Sequence, residues 1–350
     1  MMTLLDFRGD VMRFKDLLRF RSVWMGVAML WILFYHMPID LTGPVDFVRE
    51  LGYAGVDICL FASGIGCFFS LSSDADIGRF MKRRMKRLAP AYLIFLIFWL
   101  AYQIPLGQFG WRMALGNILG IQYFARQDNA FNWYISAILL FYLLAPYMKT
   151  IIDRSSPLGR IAALGVLVLG TVPFWNCNTL LIIVARLPLF FVGMLCGKLC
   201  QTDKKISAVH IILSAAAFLV GTAALMISYL WLPEHLWSKA LYWYPFILMT
   251  PPLCMAISYL AALLEKTKFT KPIVSFLSVC GDYSFELYLM HIMVITLLSI
   301  LVAKYNLYRY SYPIWAAGGV ALALGCYLLR AASKLCLKLL SKLSKTPSAT

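Results

Sequence analysis

The sequence predicts an all-α fold, a polytopic transmembrane helical bundle of about ten spans, and three observations carry that expectation. Of the 350 residues, 61% are hydrophobic and 14% charged, and the mean hydropathy of +0.76 lies well outside the soluble range. Apolar runs recur from end to end at the length of about 20 residues that a helix needs to cross a hydrocarbon core of roughly 30 Å. Basic residues crowd into alternate inter-span segments, as orientation in a bilayer requires.

The runs place spans at about 22–39, 53–72, 90–106, 132–152, 161–177, 179–199, 207–231, 241–264, 283–303 and 312–333. Span 1 lies in RSVWMGVAMLWILFYHMP and carries His36 near its end. Span 2, GYAGVDICLFASGIG, is rich in small residues: Gly55, Ala62, Ser63, Gly64 and Gly66 let helix backbones approach closely. Span 3 follows RFMKRRMKRLAPAYL, which clusters six basic residues. Between spans 3 and 4, WRMALGNILGIQYF (111–124) is too short and amphipathic for a full crossing, and is expected to lie at the interface or re-enter. Prolines in RLPLF (span 6) and MTPPL (span 8) mark helices that would break.

The N-terminal residues 1–21 mix acids and bases, and no A-x-A-like cleavage site follows span 1, so they read as a cytoplasmic lead-in and not as a cleaved signal. With that end inside, 25 of the 32 basic residues fall on the cytoplasmic side. Only Arg49, Arg112, Arg126, Lys239, Lys304 and Arg309 fall opposite, and Arg186 lies within a span. Ten spans return the basic tail 334–350 to the same side. With no internal repeat and no linker, residues 1–350 form one domain, a multi-pass protein of the cell membrane.

The net charge of +16 is thus a topology signal and a match to anionic membrane lipids, and needs no nucleic-acid partner. Eight of the nine cysteines sit in or near apolar runs as small buried hydrophobes, and Cys177 alone is expected to be exposed. They indicate neither a disulfide framework nor a metal site.

An ionisable residue within a span costs about 2.5–3.5 kcal/mol even on the lenient insertion scale, so each is a functional candidate. Four stand out: His36, Asp57, Arg186 and His291. At ~1.5 Å per residue, His36 lies about 20 Å up span 1, Asp57 about 6 Å and Arg186 about 10 Å below the outer surface. Three ionisable groups from three helices therefore share one layer. An Asp57–Arg186 ion pair with a purely structural role weighs at least equally with catalysis for those two residues; for His36 the functional reading is favoured. His291, about 10 Å into span 9, lines a donor channel or holds two helices together. The basic cluster before span 3 is a lipid anchor, or else its Arg83, Arg84 and Arg87 grip phosphates of a cytoplasmic coenzyme by bidentate hydrogen bonds.

In order and with plausible spacing, MLWILFYH, GVDICLFASGIG, RRMKRLAP, NWYISAILLFYLLAP, RLPLFFVGMLCG and GDYSFELYLMH resemble the membrane acyltransferase family known as acyltransferase 3. The resemblance covers nearly the whole chain from span 1 to span 9. It implies a bundle of ten core helices that moves an acyl group, commonly acetyl, from cytoplasmic acyl-CoA to a hydroxyl on an extracytoplasmic or lipid-linked carbohydrate. Acetyl-CoA or another acyl-CoA would be a donor substrate, with no permanently bound cofactor. By the same resemblance His36 matches the family's catalytic histidine, Arg83, Arg84 and Arg87 its cytoplasmic arginine block, and Trp133 the tryptophan opening its fourth span. The family often has an arginine eleven residues before the histidine, where this chain has Met25; Arg21, one turn nearer the cytoplasm, or Arg186 would supply that charge.

Acyl transfer needs a base for the attacking hydroxyl, which suits a histidine. His36 fills that role, or that of a transient acyl carrier, with Asp57 orienting it if the helices meet. Arg186, Tyr35, Asn132 and the Trp133 indole are candidate donors to the oxyanion. Two rival readings stand beside this one. A transporter or flippase for a polysaccharide intermediate would line its pathway with the same buried His, Asp and Arg, and a degenerate family member would keep a structural or sensory role.

Overall fold

The computed structural model describes residues 12–39, 41–125, 133–202 and 204–343. The helices are, in order, α1 (Phe14–Leu17), α2 (Arg21–His36), α3 (Gly43–Glu50), α4 (Gly55–Ser73), α5 (Ile77–Gln103), α6 (Trp111–Ile118), α7 (Gln122–Ala125) and α8 (Trp133–Arg154). They continue as α9 (Pro157–Leu169), α10 (Asn178–Val184), α11 (Leu187–Cys200), α12 (Ala208–Trp231), α13 (Tyr244–Leu264), α14 (Lys271–Asp282), α15 (Ser284–Lys304) and α16 (Ser311–Leu343). Among the described residues, ten helical stretches are long and apolar enough to cross a membrane. The protein is a multi-pass, all-helical membrane bundle.

Helix α4 lies at the centre, buried along most of its length from Gly55 to Leu71. Its small residues explain that position. A Cβ at Gly64 would collide with the Phe190 carbonyl, and one at Gly193 with the Phe61 carbonyl, so α4 and α11 touch backbone to backbone. The same device seats α14 on α2, where Gly26 faces the Leu277 carbonyl and Gly281 faces the Ser22 carbonyl. In contrast, α9 and α12 carry exposed Leu158, Ile161, Leu219 and Leu230, as befits helices whose outer faces meet hydrocarbon.

Three local findings refine the sequence expectations. The third crossing starts at Ile77, well before residue 90, because Asp76 caps the helix by accepting from the Arg79 amide at 2.6 Å. The basic cluster is therefore helical, and its arginines are sorted onto different faces. The predicted break at RLPLF occurs between α10 and α11, whereas MTPPL does not break: α13 runs unbroken through Pro251 and Pro252. The 111–124 segment folds as α6 and α7 joined at Gly120, whose φ of +70° suits glycine. It packs inward, with Ala114, Asn117, Gln122 and Tyr123 buried, and the Tyr92 hydroxyl donates to the Asn117 carbonyl at 2.7 Å.

All nine cysteines are free thiols, and Cys177 is exposed. His210 serves a structural end, pairing with Ser207 at 2.7 Å at the start of α12. His235 sits beside Glu234 at 3.6 Å outside the spans.

Candidate active site

Two cavities enter the bundle and adjoin. The first, about 50 Å³, is lined by Arg21, Arg84 and Arg87 together with Met25, Tyr134 and Tyr142. The second, about 370 Å³, is lined by His36, His291, Arg186, Tyr35 and Trp133 among others. Ile32, Val56 and Tyr288 line both. Along α2 the first cavity's Arg21 and the second cavity's His36 are separated by a rise of about 22 Å.

On α5, Arg87 lies three residues from Arg84 and four from Arg83, so register alone does not divide the cluster; Arg84 and Arg87 line the cavity and Arg83 does not. Arg83 instead pairs with Asp74 at 2.8 Å and donates to the Ser70 carbonyl at 3.1 Å. Arg84 is buried, donates from Nη2 to the Gly66 carbonyl at 2.5 Å, and stacks near Phe80 and Tyr142. Its Nε is buried with no hydrogen-bond partner. Arg21 reaches the Ala62 carbonyl, one turn from Gly66, at 3.4 Å. Among the described residues, none of Arg21, Arg84 and Arg87 has a carboxylate within ion-pair distance. Three guanidinium groups without a counter-charge line one cavity with spare N–H donors, an arrangement with the chemistry to hold an anion.

The second cavity is organised around the α10–α11 break. Pro188 near the start of α11 has no N–H to give, and the Arg186 amide turns to the Ile183 carbonyl at 3.1 Å. That frees the Ile182 carbonyl, which accepts from Arg186 Nη1 at 2.9 Å. The guanidinium is then gripped between the Trp133 and Trp243 rings, at 4.9 and 4.8 Å from their centres. Its Nε stands 3.1 Å from Asp57 Oδ1. This is an ion-pair contact off the hydrogen-bond line, since both Asp57 oxygens and Nε lack a hydrogen-bond partner in the strict geometric sense. Two fully buried charges are thus neutralised together.

Across the cavity, the His36 and His291 rings stand 5.2 Å apart at an interplanar angle of 51°. Tyr35 lies edge-on to His36 at 4.8 Å. His291 is 1% exposed, and its Nδ1 lies 2.7 Å from the Tyr288 carbonyl and 3.1 Å from that of Leu287. Carbonyl oxygens only accept, so Nδ1 carries the proton and the neutral ring presents Nε2 as a bare lone pair. That Nε2 has no partner, and a buried acceptor left unmet costs about 1–3 kcal/mol. The cavity therefore contains an oriented, unspent base.

Residues 24–330 match the family model described as an acyltransferase domain. The chain belongs to the acyltransferase 3 family. No curated protein and no solved structure matches the chain.

In this membrane acyltransferase the sequence candidates fall into two groups. His36, Arg186, Tyr35, Trp133 and His291 meet in the larger cavity; Arg21, Arg84 and Arg87 meet in the smaller one. Three placements narrow or correct the sequence reading. Asp57 takes the other of the two arrangements weighed from the sequence: α2 and α4 do pack together, but the carboxylate turns to Arg186 and does not line the cavity beside His36. Arg83 lies outside the arginine cavity, spent on Asp74. His291 stands beside His36, not lower in a donor channel, because rise per residue gives distance along a helix but not the height at which the helix starts. Asn132 lies outside the described residues.

The larger cavity of this acyltransferase is also lined by Tyr53, Tyr123, Trp237 and Tyr288, which the sequence did not single out. Tyr288 was within reach, three residues before His291 in the same quoted block. Tyr123 and Trp237 lie outside the ten spans, where no periodicity shows which way a side chain turns.

Proposed function

We propose that the protein transfers an acyl group, acetyl in the simplest case, from cytoplasmic acyl-CoA to a hydroxyl of an extracytoplasmic or lipid-linked carbohydrate, in the cell membrane. The observation that supports this reading is the adjoining pair of cavities, one walled by unpaired arginines and the other by histidines, with Ile32, Val56 and Tyr288 between them. Acyl-CoA has the matching polarity: phosphates at one end of an extended arm and a thioester at the other. Arg21, Arg84 and Arg87 would hold the phosphates. Arg21 then supplies the charge that Met25 lacks, since both line the same cavity.

At the far end, His36 accepts the proton of the acceptor hydroxyl as its oxygen attacks the thioester carbon. The carbonyl oxygen gains negative charge near the Arg186 guanidinium, held in place by Asp57 and two tryptophans. Collapse of the intermediate breaks the carbon–sulfur bond, and His36 returns the proton to the thiolate. The ester and free CoA leave, and the histidine is regenerated. Tyr35 and Trp133 offer flat apolar faces and polar edges to a sugar.

The test uses the purified protein in nanodiscs with radiolabelled acetyl-CoA, alongside mass spectrometry of surface glycans from cells with and without it. Acetyl-CoA consumption lost in His36→Ala, with a glycan mass difference equal to the acyl group, is the expected result. Altered glycan export with unchanged acylation would instead favour a transporter.

A further inference from the structure

The larger cavity contains two histidines, and the reaction outlined above uses one. His291 is the more constrained of the two. Its Nδ1–H is committed to backbone carbonyls at 2.7 and 3.1 Å, so its neutral form has one tautomer only. Its Nε2 is a buried acceptor without a partner, in the wall of the cavity. His36, at the end of α2, has no such anchor: it is exposed to the cavity, and among the described residues no hydrogen bond fixes which of its nitrogens carries the proton. The ring centres are 5.2 Å apart, so a rotation of the less constrained His36 side chain brings a ring nitrogen within hydrogen-bond reach of Nε2.

We infer that His291 is a positioning residue, whose Nε2 accepts a hydrogen bond from a ring N–H of His36 and thereby fixes the other His36 nitrogen as the lone pair that faces substrate. This deepens the proposed function and rests on its assignment of His36 as the base. The logic is that of a catalytic histidine held in one tautomer by an acceptor behind it, with a neutral imidazole in the place of a carboxylate. It also explains why a bare acceptor is kept in a buried position: the partner that satisfies it is the base itself. When His36 takes up the acceptor's proton, both of its N–H groups are donors, and Nε2 of His291 holds the one that points away from the reaction.

Histidine ¹⁵N NMR on the full chain in nanodiscs decides the matter, with His36 assigned by its loss in His36→Gln. Wild-type His36 should show a single neutral tautomer, His291→Leu a mixture of both, and His291→Gln a single tautomer again, because the amide oxygen can accept in place of Nε2. With acetyl-CoA and an acceptor, His291→Leu should lose about 10- to 100-fold in kcat while KM changes less than about twofold, and His291→Gln should recover most of it. A mixture of His36 tautomers in the wild type, a single tautomer in His291→Leu, or undiminished kcat in that variant would overturn the inference. If the wild type transfers no acyl group at all, the proposed function falls, while the tautomer measurement still judges the coupling of the two histidines.

Discussion

Arg186 Nε, in the break before α11, and Asp57 Oδ1 of α4 meet at 3.1 Å with both side chains almost wholly buried. The guanidinium is further enclosed by the Trp133 and Trp243 rings. Removing one partner leaves the other charged and unpaired in a medium of low polarity, which costs far more than the pair contributes when intact.

Asp57→Asn and Arg186→Gln should each lower stability by about 3–5 kcal/mol. A double replacement by apolar residues, Asp57→Leu with Arg186→Met, should recover most of that loss while leaving transfer impaired. Thermal unfolding in detergent, measured on the four proteins with activity alongside, tests both halves. A double variant whose loss equals the sum of the two single losses would show that the pair is not coupled.

His36→Ala should reduce acyl transfer by about 100- to 10,000-fold, the usual contribution of a general base, with binding of acyl-CoA retained. Equilibrium binding of labelled acyl-CoA separates the two effects. Loss of binding in step with loss of transfer would make His36 a binding residue and not the base.

Arg84→Gln and Arg87→Gln should each weaken acyl-CoA binding by about 10- to 100-fold, as expected for a lost charge-assisted hydrogen bond. Arg83→Gln should leave affinity close to wild type, because its guanidinium is already engaged by Asp74 at 2.8 Å. Competition with free CoA in a binding assay compares the three, and an Arg83→Gln protein as weak as the other two would contradict the separation of Arg83 from the cavity arginines.

Gly281→Leu should destabilise the bundle by about 1–3 kcal/mol through overpacking, since a side chain there runs into the Ser22 carbonyl of α2. Gly319→Leu should be tolerated in packing terms, as nothing lies within 4 Å of a Cβ built there. Comparative melting temperatures of the two variants check the contrast.

Asp74, in the turn between α4 and α5, has its carboxyl held below the ordinary carboxylate range by hydrogen bonds from Arg79, then Arg83, then the Asp76 amide. A depressed folded-state pKa contributes stability above the unfolded value of about 3.9 and loses it as pH falls below that value. Asp74→Asn should therefore lower stability slightly in the neutral range, where the ionised carboxylate contributes, and flatten the fall below about pH 4. Acid unfolding curves that superimpose with wild type would remove Asp74 from the account.

The sequence by itself determined the all-helical membrane bundle and its ten crossings, because burying backbone in hydrocarbon forces helices of a set length. It also determined that His36, Asp57, Arg186 and His291 are special, because an ionisable group at that depth is too costly to be incidental. Tertiary structure alone decided how they combine. Residue rise yields depth, but not which helix stands beside which or where each starts. So Asp57 faces Arg186 and not His36, and His291 reaches His36 because α15 begins next to α14, whose Asp282 accepts a 2.7 Å hydrogen bond from Ser22 of α2. The arginine cluster shows the same division on a smaller scale: its charge was plain in the sequence, but only packing set Arg84 and Arg87 in the cavity wall and gave Arg83 to Asp74. Tyr123 and Trp237 joined the cavity from outside the spans, where only packing, not periodicity, sets the direction of a side chain.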